Sequence, residues 1–311
     1  MPSLSTFPKP PTASLYLRLR IKLLRLLATL IRLAFTSRIP AQRVFPSPTH
    51  TTPCLVYHPP ANQPPTGLYV NFHGGGFAAG SPDADGEFCA FIAREVGCIV
   101  VSGGYRLAPE FPYPCGVQDA RDVVVWARKT YLPQTAQKVA VGGFSAGATF
   151  ALGVSQWMAR AGTPVSYAAA FYPVMNFHQE SKNTLKERNP WIRDLFHEAY
   201  LSGLPHDEEL LRDPVLSPMY AAVDELPGSV TVVIPEIDPN MPDMREFVRR
   251  LEEEVAKNGR GADKQIKGLY LEKCFHGWNL LPERLIGKDR AAKKWEAYRT
   301  VADDVRRVFE V

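Results

Sequence analysis

The chain predicts an α/β fold: a mostly parallel central sheet flanked by helices, carrying a helical cap. Three observations support this. From about residue 50 onward, short apolar runs alternate with longer stretches of helical period. The short runs are apolar throughout instead of alternating with polar residues, the pattern of strands buried on both faces. Glycine-rich turns then follow two of the runs, "HGGG" at 73–76 and "GFSAG" at 143–147, where a strand would hand over to a helix. With 311 residues, 45% hydrophobic and 22% charged, the chain suits one large domain with insertions or two small domains.

In chain order, residues 1–13 are rich in Pro, Ser and Thr and predict a disordered leader. Residues 14–38, "SLYLRLRIKLLRLLATLIRLAFTSR", predict an amphipathic helix of about six turns. Arg18, Lys22, Arg25, Thr29, Arg32 and Thr36 share one face. Leu17, Leu19, Leu24, Leu26, Leu27, Leu30, Ile31 and Leu33 fill most of the rest, and only Arg20 breaks the pattern. Arginines interrupt the apolar runs well short of the ~20 residues a membrane span needs. No uninterrupted apolar core of a secretory signal is present either.

Predicted strands follow at 54–57, 67–72, 98–103, 138–142, 167–171, 230–235 and 267–273. Predicted helices lie at 84–96, 117–130, 146–161, 243–258 and 291–308. Between 176 and 218 the alternation lapses, and "NPWIRDLFHEAYLSG" (189–203) reads as part of an inserted helical subdomain. The expected organisation is a basic amphipathic cap segment (1–48), the first part of the core (49–175), a helical cap insertion (176–218) and the second part of the core (219–311). No internal repeats occur.

The charge is unevenly spread. Residues 1–82 hold eight Lys or Arg and no acid; the remainder holds 28 basic and 32 acidic residues, a balance of −4. No basic patch interleaved with aromatics appears in the body, which argues against nucleic acid as a partner. Five scattered cysteines without CxxC spacing, and the absence of an Asn-x-Ser/Thr sequon, favour reduced thiols in an intracellular, cytoplasmic chain.

Three motifs carry chemistry. "GFSAG" puts Ser145 between a predicted strand and a predicted helix, the setting of a nucleophile on a strained turn. Gly143 and Gly147 would let strand and helix pack closely around it. The competing reading is a serine in an ordinary Gly-rich turn. "HGGG" (His73, Gly74, Gly75, Gly76) also follows a predicted strand, and bare backbone there lets N–H groups approach a developing oxyanion. A phosphate-cradling loop is the competitor, but the Lys-Ser/Thr of a P-loop is missing. His73 more plainly braces this loop than acts as a base. Finally, "PEIDPNMPD" and "EKCFHGW" place Glu236, Asp238 and His276 just past two late strands. Acid then base, both after the serine, is the order Ser…Asp/Glu…His. Asp243 is expected to cap the helix that follows or to bond within its loop.

Residues 67–281 resemble the hormone-sensitive-lipase-like family of α/β-hydrolases. The resemblance rests on "HGGGF" (73–77), "YRLAPE" (105–110), "GFSAG" (143–147), "YP" (172–173), Asp238 to Asp243 and "HGW" (276–278). It implies an α/β-hydrolase fold that cleaves an acyl ester through Ser145, His276 and Asp238, with Glu236 the runner-up acid. It also implies an oxyanion hole from the backbone N–H groups of Gly75, Gly76 and Ala146, and a cap built from 1–48 and 176–218. A small apolar acyl ester is the expected substrate, and no metal or organic cofactor is expected.

The family usually has Asp where this chain has Phe144 and Gly104, which points to a divergent branch acting on a bulky apolar metabolite. The same triad would equally serve acyl transfer or lactone chemistry in a natural-product tailoring enzyme. A non-catalytic receptor on this fold is a further alternative, though that branch loses the histidine that His276 supplies here. For residues 14–38 three roles stay open: a cap helix with its apolar face lining the entrance, an interfacial helix on anionic membrane, and a mitochondrial transit segment. In the cap reading the wide apolar arc is buried.

Overall fold

The computed structural model describes residues 13–35, 39–46, 51–61, 64–132, 138–178, 190–205, 207–259 and 263–310. Nearly all of the expected disordered leader, the last turn of the predicted 14–38 helix, and 179–189 of the predicted insertion lie outside the described residues.

The apolar runs pair into one eight-stranded sheet, made of β1 (Gln42–Val44), β2 (Cys54–Tyr57), β3 (Leu68–Phe72), β4 (Ile99–Gly103), β5 (Val139–Phe144), β6 (Tyr167–Phe171), β7 (Ser229–Ile237) and β8 (Gln265–Phe275). The order is β1-β2-β4-β3-β5-β6-β7-β8. The first two pairings are antiparallel and the rest parallel. Every residue of β3, β4, β5 and β6 is buried, which is why their sequences are apolar without alternation. The edges differ. β1 is three residues long, and β8 exposes Lys267, Glu272 and Lys273, so neither presents a long apolar edge.

Eight helices complete the described fold: α1 (Leu15–Phe35), α2 (Gly86–Val96), α3 (Cys115–Tyr131), α4 (Ala146–Arg160), α5 (Pro190–Tyr200), α6 (Glu208–Leu211), α7 (Met241–Lys257) and α8 (Glu283–Glu310). α2 packs on α8, and α3 packs on α4. α2 ends where Gly97 turns left-handed (φ 73°) and its N–H returns to the Ala93 carbonyl. α8 starts earlier than the sequence pattern predicts, because Gly287 (φ 79°) breaks the helix after a first turn and lets it resume. α7 also starts earlier, at Met241 with Asn240 at the N-cap position. Asp243 is therefore not the N-cap residue; it lies in the first turn, where a carboxylate suits the positive end of the helix dipole.

Phe144 packs in an aromatic cluster. Phe88 stands at its centre, 5.1 Å from Phe144, 5.3 Å from Phe171 and 5.0 Å from Tyr298 between ring centroids, while Phe144 stacks on Phe171 at 4.4 Å. The Phe144 ring is fully buried among these aromatic rings, an environment that favours an apolar side chain over a carboxylate. At Gly104, any Cβ would overlap the Pro53 carbonyl. The two departures from the family pattern are thus both fitted to their local packing.

α1 seats on the body differently from the expectation that its apolar face turns inward. Leu17 and Ile21 are buried. Beside them Arg25 donates to the Ala78 and Ala108 carbonyls, each at 2.7 Å, and pairs with Glu110 at 2.7 Å, while Arg32 pairs with Asp83. Leu15, Tyr16, Leu19, Leu23, Leu26, Leu27 and Leu30 face solvent. The correction has a simple physical cause. Arg25 finds the carbonyls of two buried residues, Ala78 and Ala108, and both guanidinium groups meet partly exposed carboxylates at the rim of the body, so the helix rolls its polar edge inward. α1 also lies against α5.

Candidate active site

Ser145 sits on the turn between β5 and α4 with φ 52° and ψ −119°, a conformation a non-glycine residue holds only when its surroundings over-determine it. Those surroundings are visible. The Ser145 N–H donates to the Phe171 carbonyl at 2.9 Å, fastening the turn to β6. A side chain on Gly143 or Gly147 would overlap the Phe72 carbonyl oxygen, so only bare backbone lets β3, β5 and α4 meet here.

Past the end of β7, Asp238 is fully buried. One carboxylate oxygen accepts from the Asn240 N–H at 2.8 Å, and the other lies 2.7 Å from His276 Nδ1. His276 follows β8 directly, and its Nε2 lies 2.9 Å from Ser145 Oγ. The structure therefore joins Asp238, His276 and Ser145 in one hydrogen-bonded line across residues 38 and 131 positions apart in sequence. Burial disfavours a charged imidazole at His276, but the Asp238 carboxylate's charge and hydrogen bond outweigh it, and the ring titrates above the ordinary histidine value.

The HGGG turn approaches from the other side. A Cβ on Gly74 would stand 3.6 Å from the Ser145 Cβ. Gly75 (φ 128°) and Gly76 (φ 59°) adopt conformations that side chains resist. The Gly75 carbonyl closes the turn by accepting from the Ala78 and Ala79 N–H groups at 3.2 and 2.8 Å. Ala146 opens α4, so its N–H belongs to the first turn, whose donors lack intrahelical acceptors. His73 faces away from this chemistry. It is 1% exposed, its Nδ1 lies 2.8 Å from the Gly74 carbonyl, and its ring stacks on Tyr105 at 4.2 Å. Burial pushes it down to about 4, which keeps it neutral. Glu236 stays apart from the line: its carboxylate accepts from the Lys273 N–H at 2.7 Å.

A brace absent from the sequence reading stands behind His276. Tyr172, at φ 41°, packs its ring 4.8 Å from the imidazole. Its hydroxyl donates to Asn279 Oδ1 at 2.6 Å, and Asn279 Nδ2 donates to the Tyr298 hydroxyl at 3.2 Å. All three residues are buried. The available signal was Asn279, a polar residue immediately after "HGW" in an otherwise apolar turn. The wall above Gly76 also went unread: the Phe196 ring of α5 fills the space a Cβ on Gly76 would need, and Tyr200 stacks on Phe77 at 3.9 Å. Among the described residues no cluster of His, Cys, Asp and Glu could hold a metal ion.

A parallel sheet whose strand ends bring a serine, a histidine and an aspartate into line defines a member of the α/β-hydrolases. The family model for the alpha/beta hydrolase fold matches residues 69–279, and the chain belongs to that family. It is 31% identical over 248 residues to the carboxylic ester hydrolase LipN of Mycobacterium tuberculosis, covering 75% of this chain and 62% of that protein. It is 28% identical over 217 residues to an ethyl acetate hydrolase of Pseudomonas putida, covering 66% of each chain. The chain thus spans somewhat under two thirds of the length of these two curated relatives. Among solved structures, a hyperthermophilic esterase from Pyrobaculum calidifontis superposes with a TM-score of 0.76 at 23% identity, covering 92% of this chain and 90% of that one. That likeness is one of fold.

Proposed function

We propose that the protein is a serine carboxylic-ester hydrolase whose catalytic residues are Ser145, His276 and Asp238. The observation that carries the reading is the unbroken line from Asp238 through His276 to Ser145, with contacts of 2.7 and 2.9 Å. In this mechanism Ser145 Oγ attacks the acyl carbonyl while His276 Nε2 takes its proton. The carbonyl oxygen becomes an oxyanion, held by the N–H groups of Gly75, Gly76 and Ala146. One such donor is typically worth roughly 3 kcal/mol. Collapse of the tetrahedral intermediate expels the alcohol, which receives the proton from His276, and leaves Ser145 acylated. Water then attacks the acyl-enzyme with His276 again as base, releasing the acid and restoring the serine. Asp238 holds His276 in the tautomer that keeps Nε2 free to accept, and it stabilises the imidazolium. Nothing in this sequence of steps calls for a metal or an organic cofactor.

The substrate in this reading is a small apolar acyl ester. Phe77, Phe177, Phe196 and Tyr200 supply an aromatic wall beside the oxyanion turn. Segments 1–48 and 176–218 form the cap. The support for that division is α5, which sets Phe196 against Gly76 and lies against α1. The direct test is turnover of p-nitrophenyl acetate and butyrate by the wild type and by Ser145→Ala. Turnover abolished in the variant supports the proposal, and equal turnover by both overturns it.

A further inference from the structure

The outward face of α1 is unlike the rest of the surface. Leu15, Tyr16, Leu19, Leu23, Leu26, Leu27 and Leu30 are each at least 55% exposed. At about 100° per residue they fill one continuous arc of about 120°. Contiguous exposed apolar surface of this kind marks an interaction site. The face is not a by-product of loose docking, because Leu17, Ile21, Arg25 and Arg32 tie the opposite side of the helix to the body.

Charge says what covers it. Lys22 lies about 20° beyond one edge of the arc and Arg20 about 20° beyond the other. Lys22 is exposed, and the Arg20 guanidinium rides over the Tyr16 ring, 5.2 Å from its centroid. Residues 1–82 contain no acid that would repel an anionic surface. A second copy of this chain seated on the same face would bring Lys22 and Arg20 against their own like charges. An apolar strip with a cation on each rim instead matches the acyl and headgroup zones of an anionic bilayer. Geometry fits as well: from Leu15 to Leu30 the helix runs about 22 Å, a length that lies in the interface plane. No helix among the described residues is long and apolar enough to cross a membrane. Trp191, on the neighbouring α5, is 54% exposed, a residue type enriched at the headgroup level.

We infer that α1 is a membrane-docking helix, its outer leucine face inserted into the surface of an anionic bilayer and its inner arginines fastened to the hydrolase body. The inference goes beyond ester hydrolysis and does not depend on it. Arg25 holds the carbonyl of Ala78, whose own N–H bonds the Gly75 carbonyl. The bilayer therefore meets the protein on the side of the HGGG turn.

The test is co-sedimentation of the full chain with extruded vesicles of phosphatidylcholine alone or mixed with phosphatidylserine, at low and high salt. The wild type should pellet with the anionic vesicles, and less so at high salt. Leu23→Glu/Leu27→Glu should lower vesicle affinity by roughly a hundredfold or more. Lys22→Gln should lower affinity for the anionic vesicles alone, by about fivefold. Circular dichroism melting reports whether each variant is folded, and the single Lys22→Gln change carries the test if the double variant is not. Wild-type protein remaining in the supernatant with both vesicle types overturns the inference. So does a wild-type dimer that the leucine variants convert to monomer without any vesicle binding, which would make the face a self-association surface.

Discussion

Asp238→Asn changes charge while almost preserving shape, and the hydrogen bonds around it dictate the outcome. One Asp238 oxygen is committed to the Asn240 N–H at 2.8 Å. In the variant the amide oxygen keeps that bond, which turns the amide NH2 toward His276 Nδ1, now 2.7 Å from a carboxylate oxygen. An NH2 facing Nδ1 requires an unprotonated Nδ1. The ring proton then sits on Nε2 and points at Ser145 Oγ, so the base has no lone pair for the serine proton. The same wrong tautomer in a serine protease lowers kcat by about 10⁴. At about 1.36 kcal/mol per decade this is about 5.5 kcal/mol of transition-state stabilisation. A second signature follows from charge. Asp238 raises the His276 pKa against its burial, so with His276 as the base the wild-type activity should fall on acidification with a midpoint above that of an ordinary histidine. Without the carboxylate only burial remains, and the acid limb of the residual activity moves to lower pH. The assay is kcat/KM for p-nitrophenyl acetate across pH, for wild type, Asp238→Asn and Glu236→Gln. A loss of less than tenfold in Asp238→Asn, or a larger loss in Glu236→Gln, would refute the assignment of the acid.

Two further outcomes are expected. Gly76→Ala keeps the N–H but should push it out of line, because a Cβ there meets the Phe196 ring at a φ of 59°; kcat should fall by up to roughly 10²–10³, the cost of an oxyanion donor no longer in place, and unchanged kcat would argue against Gly76 as an oxyanion donor. Asp85 is buried beside Asn71 Nδ2, at 3.0 Å, and burial pushes its carboxyl up to about 8 from 3.8. Its raised value means that the folded state holds a proton the unfolded state has lost, so stability should fall as pH rises from about 4 to about 8. Asp85→Asn should flatten that slope in urea unfolding, and an unchanged slope would show that Asp85 is not its source.

How far the sequence reveals this molecule depends on whether the signal is local. β3 to β6 are legible because burial on both faces demands apolar residues at every position. β1 is not, since Gln42 and Arg43 carry no strand pattern and their place comes from pairing with β2. Ser145, Asp238 and His276 could be picked out because each follows a strand in a recognisable turn, yet their distances emerge only when sheet order sets those strand ends side by side. The Tyr172–Asn279–Tyr298 brace shows locally only as "YP" and as the polar residue after "HGW"; that the two meet cannot be read locally, since Tyr172 and Asn279 are 107 residues apart. α1 shows the limit most clearly. Its two-faced character is plain on a helical wheel, but which face turns inward depends on where Ala78, Ala108, Glu110 and Asp83 lie, 51 to 85 residues away.

The central claim is that Ser145 forms the acyl-enzyme, activated by the neighbour 2.9 Å from its hydroxyl. A fluorophosphonate probe tests it directly, with the modified peptide mapped by mass spectrometry in wild type, Ser145→Ala and His276→Ala. The account predicts a single adduct on Ser145 in the wild type, none in Ser145→Ala, and labelling of His276→Ala slowed by orders of magnitude. Modification of a different serine at an undiminished rate in Ser145→Ala would contradict it.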